Sequence, residues 1–201
     1  MPNDKNLQDY LKFLNPKIMK QCFVLSSCFI TLHEILKETI IDNLRDFFVL
    51  VEDEKHLDEY NNKVLSKDKK GRALNASIIW LLENNVINDN DISIINKIAV
   101  HRNEIAHNMM SILADSGKDV NVKLMVLAQQ LITKIDRWWI INVEIPTSGE
   151  YTFNDVQKMD QNSINSLRSL VTELMVQVAL GNDENMTEIY NLFIEKYPSI
   201  A

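Results

Sequence analysis

The sequence contains little glycine and proline, with four of each in 201 residues, and only two cysteines. Folds built from many short strands, or from alternating strands and helices, need numerous Gly- and Pro-rich turns. This composition therefore disfavours β-sandwiches and doubly wound α/β folds. Cys22 and Cys28 lie six residues apart in one apolar helical stretch, which suits neither a disulfide nor a zinc site. Low turn content with a 46% hydrophobic share predicts a globular chain of long helices.

The charge balance and the absent motifs exclude several classes of function. With 21 basic against 28 acidic residues, the chain lacks the basic surface that sequence-blind nucleic-acid binding needs, so no DNA partner is expected. Phosphate-loop, dinucleotide, zinc-protease and nucleophile-elbow motifs are missing, and the four histidines lack metal-ligand spacing. We therefore expect no cofactor and no metal. The first residues lack the apolar core of a signal peptide, and no apolar run is long enough to cross a bilayer, so a cytoplasmic protein without a membrane partner is expected.

The hydrophobic periodicity predicts an all-α fold, a bundle of four to five main helices with C-terminal helical additions. Pro16 is well placed to open a long helix over residues 18–51, and Asn121 to cap another that ends before Pro146. Between them, the Asn/Asp cluster at 88–91 caps a helix over 92–114. We divide the chain into a bundle over 1–145, a linker over 146–161, and a C-terminal extension over 162–201 that packs on the bundle.

Three smaller features leave alternatives open or have little functional weight. The basic segment Ser66–Arg72 is either a solvated connection or a loop that contacts phosphate. The pair Trp138-Trp139 is either an interface anchor or a core element. His33 and Glu34 are neighbours on a helix, where adjacent side chains are expected to point in different directions.

The segment from Val100 to His107 carries the strongest functional signal. At about 100° per residue, Arg102 falls in the middle of an apolar stripe formed by residues such as Ile98 and Ile105. A guanidinium cannot lose its charge, so burying it without a partner is costly. Arg102 therefore needs a carboxylate partner, a seam shared with another subunit, or a bound anion. Asn103 and His107 form a polar wall beside this stripe.

This combination of side chains suits phosphodiester chemistry without a metal. An imidazole has its ordinary pKa near neutrality, so it can take a proton from a ribose 2′-OH or return one to the leaving 5′-oxygen. A guanidinium offers two parallel donors to the phosphate as negative charge accumulates on it. On spacing alone, a structural Arg–carboxylate pair is the favoured interpretation of Arg102.

The motif Arg102-Asn103-x-x-Ala106-His107, on a long helix of a small all-α protein, resembles the R-x(4–6)-H signature of HEPN domains. The resemblance implies a helical bundle that pairs as a homodimer. It also implies a metal-independent endoribonuclease from a prokaryotic toxin–antitoxin or defence system, with an antitoxin or defence protein as a further partner. Arg102, Asn103 and His107 from two subunits would then meet in one cleft. Weaker RNA contacts are expected from His101, Lys97, Lys69, Lys70 and Arg72. The alternative is a non-catalytic HEPN-like module that binds a nucleotide or a protein.

Overall fold

The protein is described from a computed structural model that covers residues 4–49, 53–149, 151, 155 and 158–197. The described residues form helices and no strands, which confirms the predicted all-α bundle. The main helices are α1 (Asp4–Leu14), α2 (Pro16–Phe48), α3 (Glu54–Lys63), α4 (Ala73–Glu83), α5 (Asp89–Ala114), α6 (Val122–Trp139), α7 (Leu167–Ala179) and α8 (Glu184–Lys196). Among the described helices, none is long and apolar enough to span a membrane.

The long helix α2 is the centre of the bundle, and all of α1, α3, α4, α5, α6 and α7 contact it. It begins where the sequence predicts, with Pro16 in its first turn and the Asn15 side chain accepting hydrogen bonds from two backbone N–H groups. It ends at Phe48, and the predicted extension toward residue 51 enters residues 50–52, which lie outside the described part. Leu32, Leu44 and other aliphatic side chains of α2 are fully buried against its neighbours.

Helix α5 lies antiparallel to α2 and carries the candidate motif. Asn88 and Asp91 form a reciprocal capping box at its start, as the Asn/Asp cluster predicts. The helix is regular as far as His107, and a kink at Asn108, with φ −128° and ψ 32°, follows it. Because the kink lies after the motif, the predicted placement of residues 92–107 around the helix holds.

Helix α6 continues past the point at which the sequence predicts its end. A π-helical turn at Ile140–Glu144 leads into a further helical turn at Ile145–Ser148, which contains Pro146. A proline lacks the N–H that an α-helix needs at that position, and the wider π turn takes up the mismatch. The predicted end before Pro146 is therefore wrong by one turn. Six of the sixteen residues of the predicted linker over 146–161 lie outside the described part of the chain.

The tryptophans form an aromatic cluster where α2, α4 and α6 meet. Trp139 is buried and stacks on Trp80 at a centroid distance of 6.0 Å, while Trp138 meets Trp80 edge-on at 6.2 Å. Phe48 packs against the same Trp80 ring. Both tryptophans of the pair thus contribute to packing within one chain, which favours the core interpretation over the interface anchor.

Helix α1 holds the loop that follows α5. Lys12 is almost fully buried, and its Nζ donates to the backbone carbonyl of Asp115 at 3.0 Å, to the Asp119 carboxylate at 2.8 Å and to the carbonyl of Lys118. Asp9 accepts hydrogen bonds from the hydroxyl and the backbone N–H of Ser116, which lower its pKa. The loop at 115–119 is therefore fixed by two charged side chains of α1.

The C-terminal helix α7 packs on α2 and α6 through a buried carboxylate. Asp136 of α6 accepts hydrogen bonds from Ser166 at 2.6 Å, from Asn43 at 3.3 Å and from Arg168 at 3.3 Å. Next to it, the Arg137 guanidinium donates to the carbonyl of Ile164 at 2.9 Å. These bonds join the segment before α7 to the bundle.

Replacing Asp136 with alanine should destabilise the docking of α7, because three donors lose their shared acceptor in a buried position. We expect a loss of about 2–3 kcal/mol in unfolding free energy, measured by urea denaturation. Asp46→Ala, at an exposed acidic position on α2, is the matched control and should stay within about 0.5 kcal/mol of the parent chain. Equal effects of the two substitutions would contradict this account of α7 docking.

Candidate functional site

Helix α5 places Arg102 on its buried face and the rest of the motif on its exposed face. Arg102 lies in line with Ile98 and Ile105, which are 1% and 0% exposed. Asn103 and His107 lie on the solvent side of the same helix. The predicted position of the guanidinium within the apolar stripe is therefore observed.

The guanidinium of Arg102 pairs with a carboxylate from its own chain. Its Nη2 donates to Oε1 of Glu34 on α2 at 3.1 Å, and its Nη1 lies 3.4 Å from Oδ1 of Asn103. The Arg102 Nε is buried and has no hydrogen-bond partner among the described residues. The side chains of Arg102 and Glu34 are 30% and 38% exposed, so solvent and small ligands reach this pair. Of the three solutions that the sequence leaves open for Arg102, a carboxylate partner is the one observed within the chain.

Glu34 is the centre of a small charged cluster. Besides Arg102, it accepts from Nδ1 of His33 at 3.0 Å and from Nζ of Lys37 at 3.4 Å. Burial acts to raise the pKa of Glu34, but the hydrogen bonds from His33 and Lys37 outweigh it and hold the pKa below its usual value. The expectation that His33 and Glu34 point apart is wrong, since the flexible Glu34 side chain reaches back to the neighbouring ring. Sequence reasoning missed Glu34 because its pairing with Arg102 spans 68 residues.

His107 is free to meet a ligand. Its side chain is exposed and makes no hydrogen bond or ion pair with any residue that the structure describes. Asn103, one turn before it, and the adjacent Ala106 are exposed as well. The kink at Asn108 follows directly, and beyond it Met109 turns back toward α2, where its sulfur lies 3.7 Å from the Ser26 hydroxyl. The imidazole of His107 is therefore exposed to solvent, less than two helical turns after the half-buried guanidinium of Arg102.

The side chain of His101 makes contacts that stabilise the fold. Its Nε2 accepts the backbone N–H of Asn121 at 2.8 Å, and its Nδ1 lies 3.0 Å from Oε2 of Glu104. The first contact requires the proton on Nδ1, which then donates to Glu104. The ring also packs edge-on against Phe29 at 4.9 Å, and the side chain is only 13% exposed. His101 therefore joins α5 to the start of α6, and its predicted contact with RNA is not favoured by this geometry.

The other basic residues of the prediction are dispersed. Lys97 is exposed on α5 and lines a shallow groove with His101. Lys69 and Lys70 are exposed in the loop before α4, whereas Arg72 pairs with Asp68 at 2.9 Å. In the described parts of the chain, no hydrogen bond or ion pair connects this loop with Arg102, Asn103 or His107. The structure thus brings Arg102 and Asn103 together, and in the described part of the chain it shows no contact of His107 or of the predicted lysines with them.

Within the described residues, no group of three or more His, Cys, Asp or Glu side chains could hold a metal ion. Comparison with protein-family models, with curated proteins and with solved structures finds no match to this chain.

Proposed function

We propose that this protein is a metal-independent endoribonuclease of the HEPN type. The observation that carries the proposal is the arrangement on α5, where a solvent-reachable guanidinium, an amide and an unengaged imidazole occupy Arg102, Asn103 and His107. These three groups match the roles that RNA cleavage needs. The His33–Glu34 pair adds a second imidazole on the α2 side of the same guanidinium.

The chemistry assigns one role to each side chain. A neutral His107 accepts the proton of a ribose 2′-OH, and the 2′-oxygen attacks the adjacent phosphorus. The bond from phosphorus to the 5′-oxygen breaks, and that oxygen takes a proton from a second imidazolium. The products are a 2′,3′-cyclic phosphate and a 5′-hydroxyl. Arg102 stabilises the charge that accumulates on the phosphate oxygens, and Asn103 orients the phosphate.

A homodimer would supply the second imidazole. Each copy carries one His107, so a cleft shared by two copies holds one imidazole as base and His107 of the partner subunit as acid. We propose a cytoplasmic protein from a prokaryotic toxin–antitoxin or defence system, with RNA as substrate and an antitoxin or defence protein as a further partner.

The most direct experiment incubates the purified chain with single-stranded RNA in excess EDTA. Cleavage that persists in EDTA and is lost in Arg102→Ala supports the proposal. Absence of cleavage on all tested RNAs would favour the alternative, a non-catalytic module. Glu34 already balances the charge of Arg102 without any ligand, which supports a third interpretation, a structural Arg–carboxylate pair within one chain.

Glu34 is expected to compete with the phosphate for Arg102. In Glu34→Gln, the guanidinium loses its anionic partner, so an RNA with 2′-deoxy sugars at the cleaved position should bind about three- to tenfold more tightly. The change in stability should stay below about 1 kcal/mol because the pair is partly exposed. Fluorescence anisotropy with labelled RNA measures the affinity, and Glu38→Gln, at an exposed site one turn further along α2, is the control. Equal affinity of Glu34→Gln and the parent chain would contradict a phosphate site at Arg102.

A further inference from the structure

Helix α7 carries several large apolar side chains on the face that points away from the bundle. The buried face consists of small or short residues, namely Ser169, Thr172, Val176 and Ala179. The opposite face carries Leu167, Leu170, Val171 and Val178, which are between 41 and 77% exposed. Their spacing of three, four and seven residues forms one continuous stripe along the helix. A stripe of this kind on a water-soluble surface indicates a contact with another apolar surface.

Helix α8 adds a second stripe directly after the first. None of its 13 residues is buried, although Met186, Ile189, Tyr190 and Phe193 follow the same helical spacing. The connecting turn is short, and Asn185 of α8 donates to Gln177 of α7 at 3.0 Å. The start of α8 is therefore held against α7, and no described residue buries the apolar side chains of either stripe. We define the hairpin surface as these two apolar stripes on α7 and α8.

We propose that the hairpin surface is a contact between two copies of this chain. The first argument is area. Eight large apolar side chains that are about half exposed present on the order of 700 Å², close to the ~800 Å² that each partner buries in a standard interface. Two hairpins related by a twofold axis would form a four-helix arrangement in which each stripe packs against an equivalent one.

The second argument is the distribution of charge. The chain has a net charge of −7, so a seam between two copies must keep its acidic residues apart. On α8, Glu184, Glu188 and Glu195 lie on the face opposite the apolar stripe and line a separate acidic groove. The stripe residues of α7 include no charged side chain. A hairpin surface without charge in an acidic protein fits a second copy, whereas a basic partner would find no acidic residues within it.

This inference goes beyond the proposed function and does not depend on it. The hairpin surface lies on α7 and α8, whereas the proposed RNA cleft lies on α5, so the two contacts use different parts of the chain. Loss of RNA cleavage would leave the hairpin contact in place, and loss of the hairpin contact would leave the Arg102 site intact.

Analytical ultracentrifugation of the full chain over about 1–100 µM tests the proposal. We expect the parent chain to self-associate and Leu167→Glu/Leu170→Glu to sediment with half its mass. These positions are exposed, so circular dichroism should show an unchanged fold. The matched control is Leu11→Glu/Leu14→Glu on α1, where Leu14 is 73% exposed against 77% for Leu167. The control should keep the mass of the parent chain.

Four outcomes would overturn the proposal. A monomeric parent chain would mean that the surface has another occupant. An unchanged mass for the α7 variant would place any contact elsewhere. Dissociation of the α1 variant alone would show that the two copies contact each other through α1. Dissociation by both variants would show that added charge, rather than loss of the hairpin surface, separates the copies.

Discussion

Replacing His107 with alanine should lower the rate of RNA cleavage by about a hundredfold to ten-thousandfold. The proposed mechanism uses this imidazole for proton transfer, and a positioned acid or base contributes rate factors of that size. The side chain is exposed and has no partner among the described residues, so the substitution removes no contact that supports the fold. Single-turnover cleavage of a labelled RNA measures the rate, and thermal denaturation of the same sample verifies that the fold is unchanged.

A control variant separates this effect from a general loss of the α5 surface. Asn96→Ala changes another exposed polar residue on the same side of α5, at a position outside the motif. It should cleave within about twofold of the parent rate, since single surface substitutions rarely disturb a distant site. A His107→Ala variant that retains the parent rate would remove His107 from the mechanism. One that loses activity together with its fold would assign it a structural role.

Replacing Lys12 with methionine should give a large loss of stability. Methionine keeps most of the apolar stem but removes a buried charged donor that serves two backbone carbonyls and the exposed carboxylate of Asp119. Hydrogen bonds to charged groups are stronger than neutral ones, and buried acceptors left unpaired are costly. We expect about 2–3 kcal/mol, which for a chain of this size lowers the melting temperature by about 5–10 °C.

The comparison for Lys12 is Lys17→Met, at an exposed lysine in the first turn of α2. That variant should melt within about 1 °C of the parent chain. If both variants melt alike, the three contacts of Lys12 do not stabilise the fold as described. Differential scanning calorimetry at one protein concentration measures both.

The sequence alone predicts the helices well because their signals are local. Asn88 and Asn121 mark helix starts through their own side chains, and the spacing of Ile98 and Ile105 fixes which face of α5 is buried. The position of Arg102 within that face follows from the same helical spacing of about 100° per residue. These features depend on neighbours within a few residues, so no knowledge of the tertiary arrangement is needed.

What the sequence does not predict depends on contacts between distant segments. Glu34 becomes the partner of Arg102 only because α2 and α5 lie antiparallel, and many other carboxylates were equally available. Lys12 appears in the sequence as one polar residue of an amphipathic helix, yet it is buried by a loop more than 100 residues away. The kink at Asn108 could not be predicted either, because the helix contains no proline or glycine near it.

The claim that α5 carries an RNA-cleaving site is tested most directly by a DNA oligonucleotide that contains a single ribonucleotide, incubated with the protein in EDTA. The account predicts one cut, directly after the ribonucleotide, with a 2′,3′-cyclic phosphate on one product and a 5′-hydroxyl on the other. The all-DNA strand should stay intact because it lacks the attacking 2′-hydroxyl. Cleavage of both strands alike, or products that end in a 3′-hydroxyl, would contradict the account.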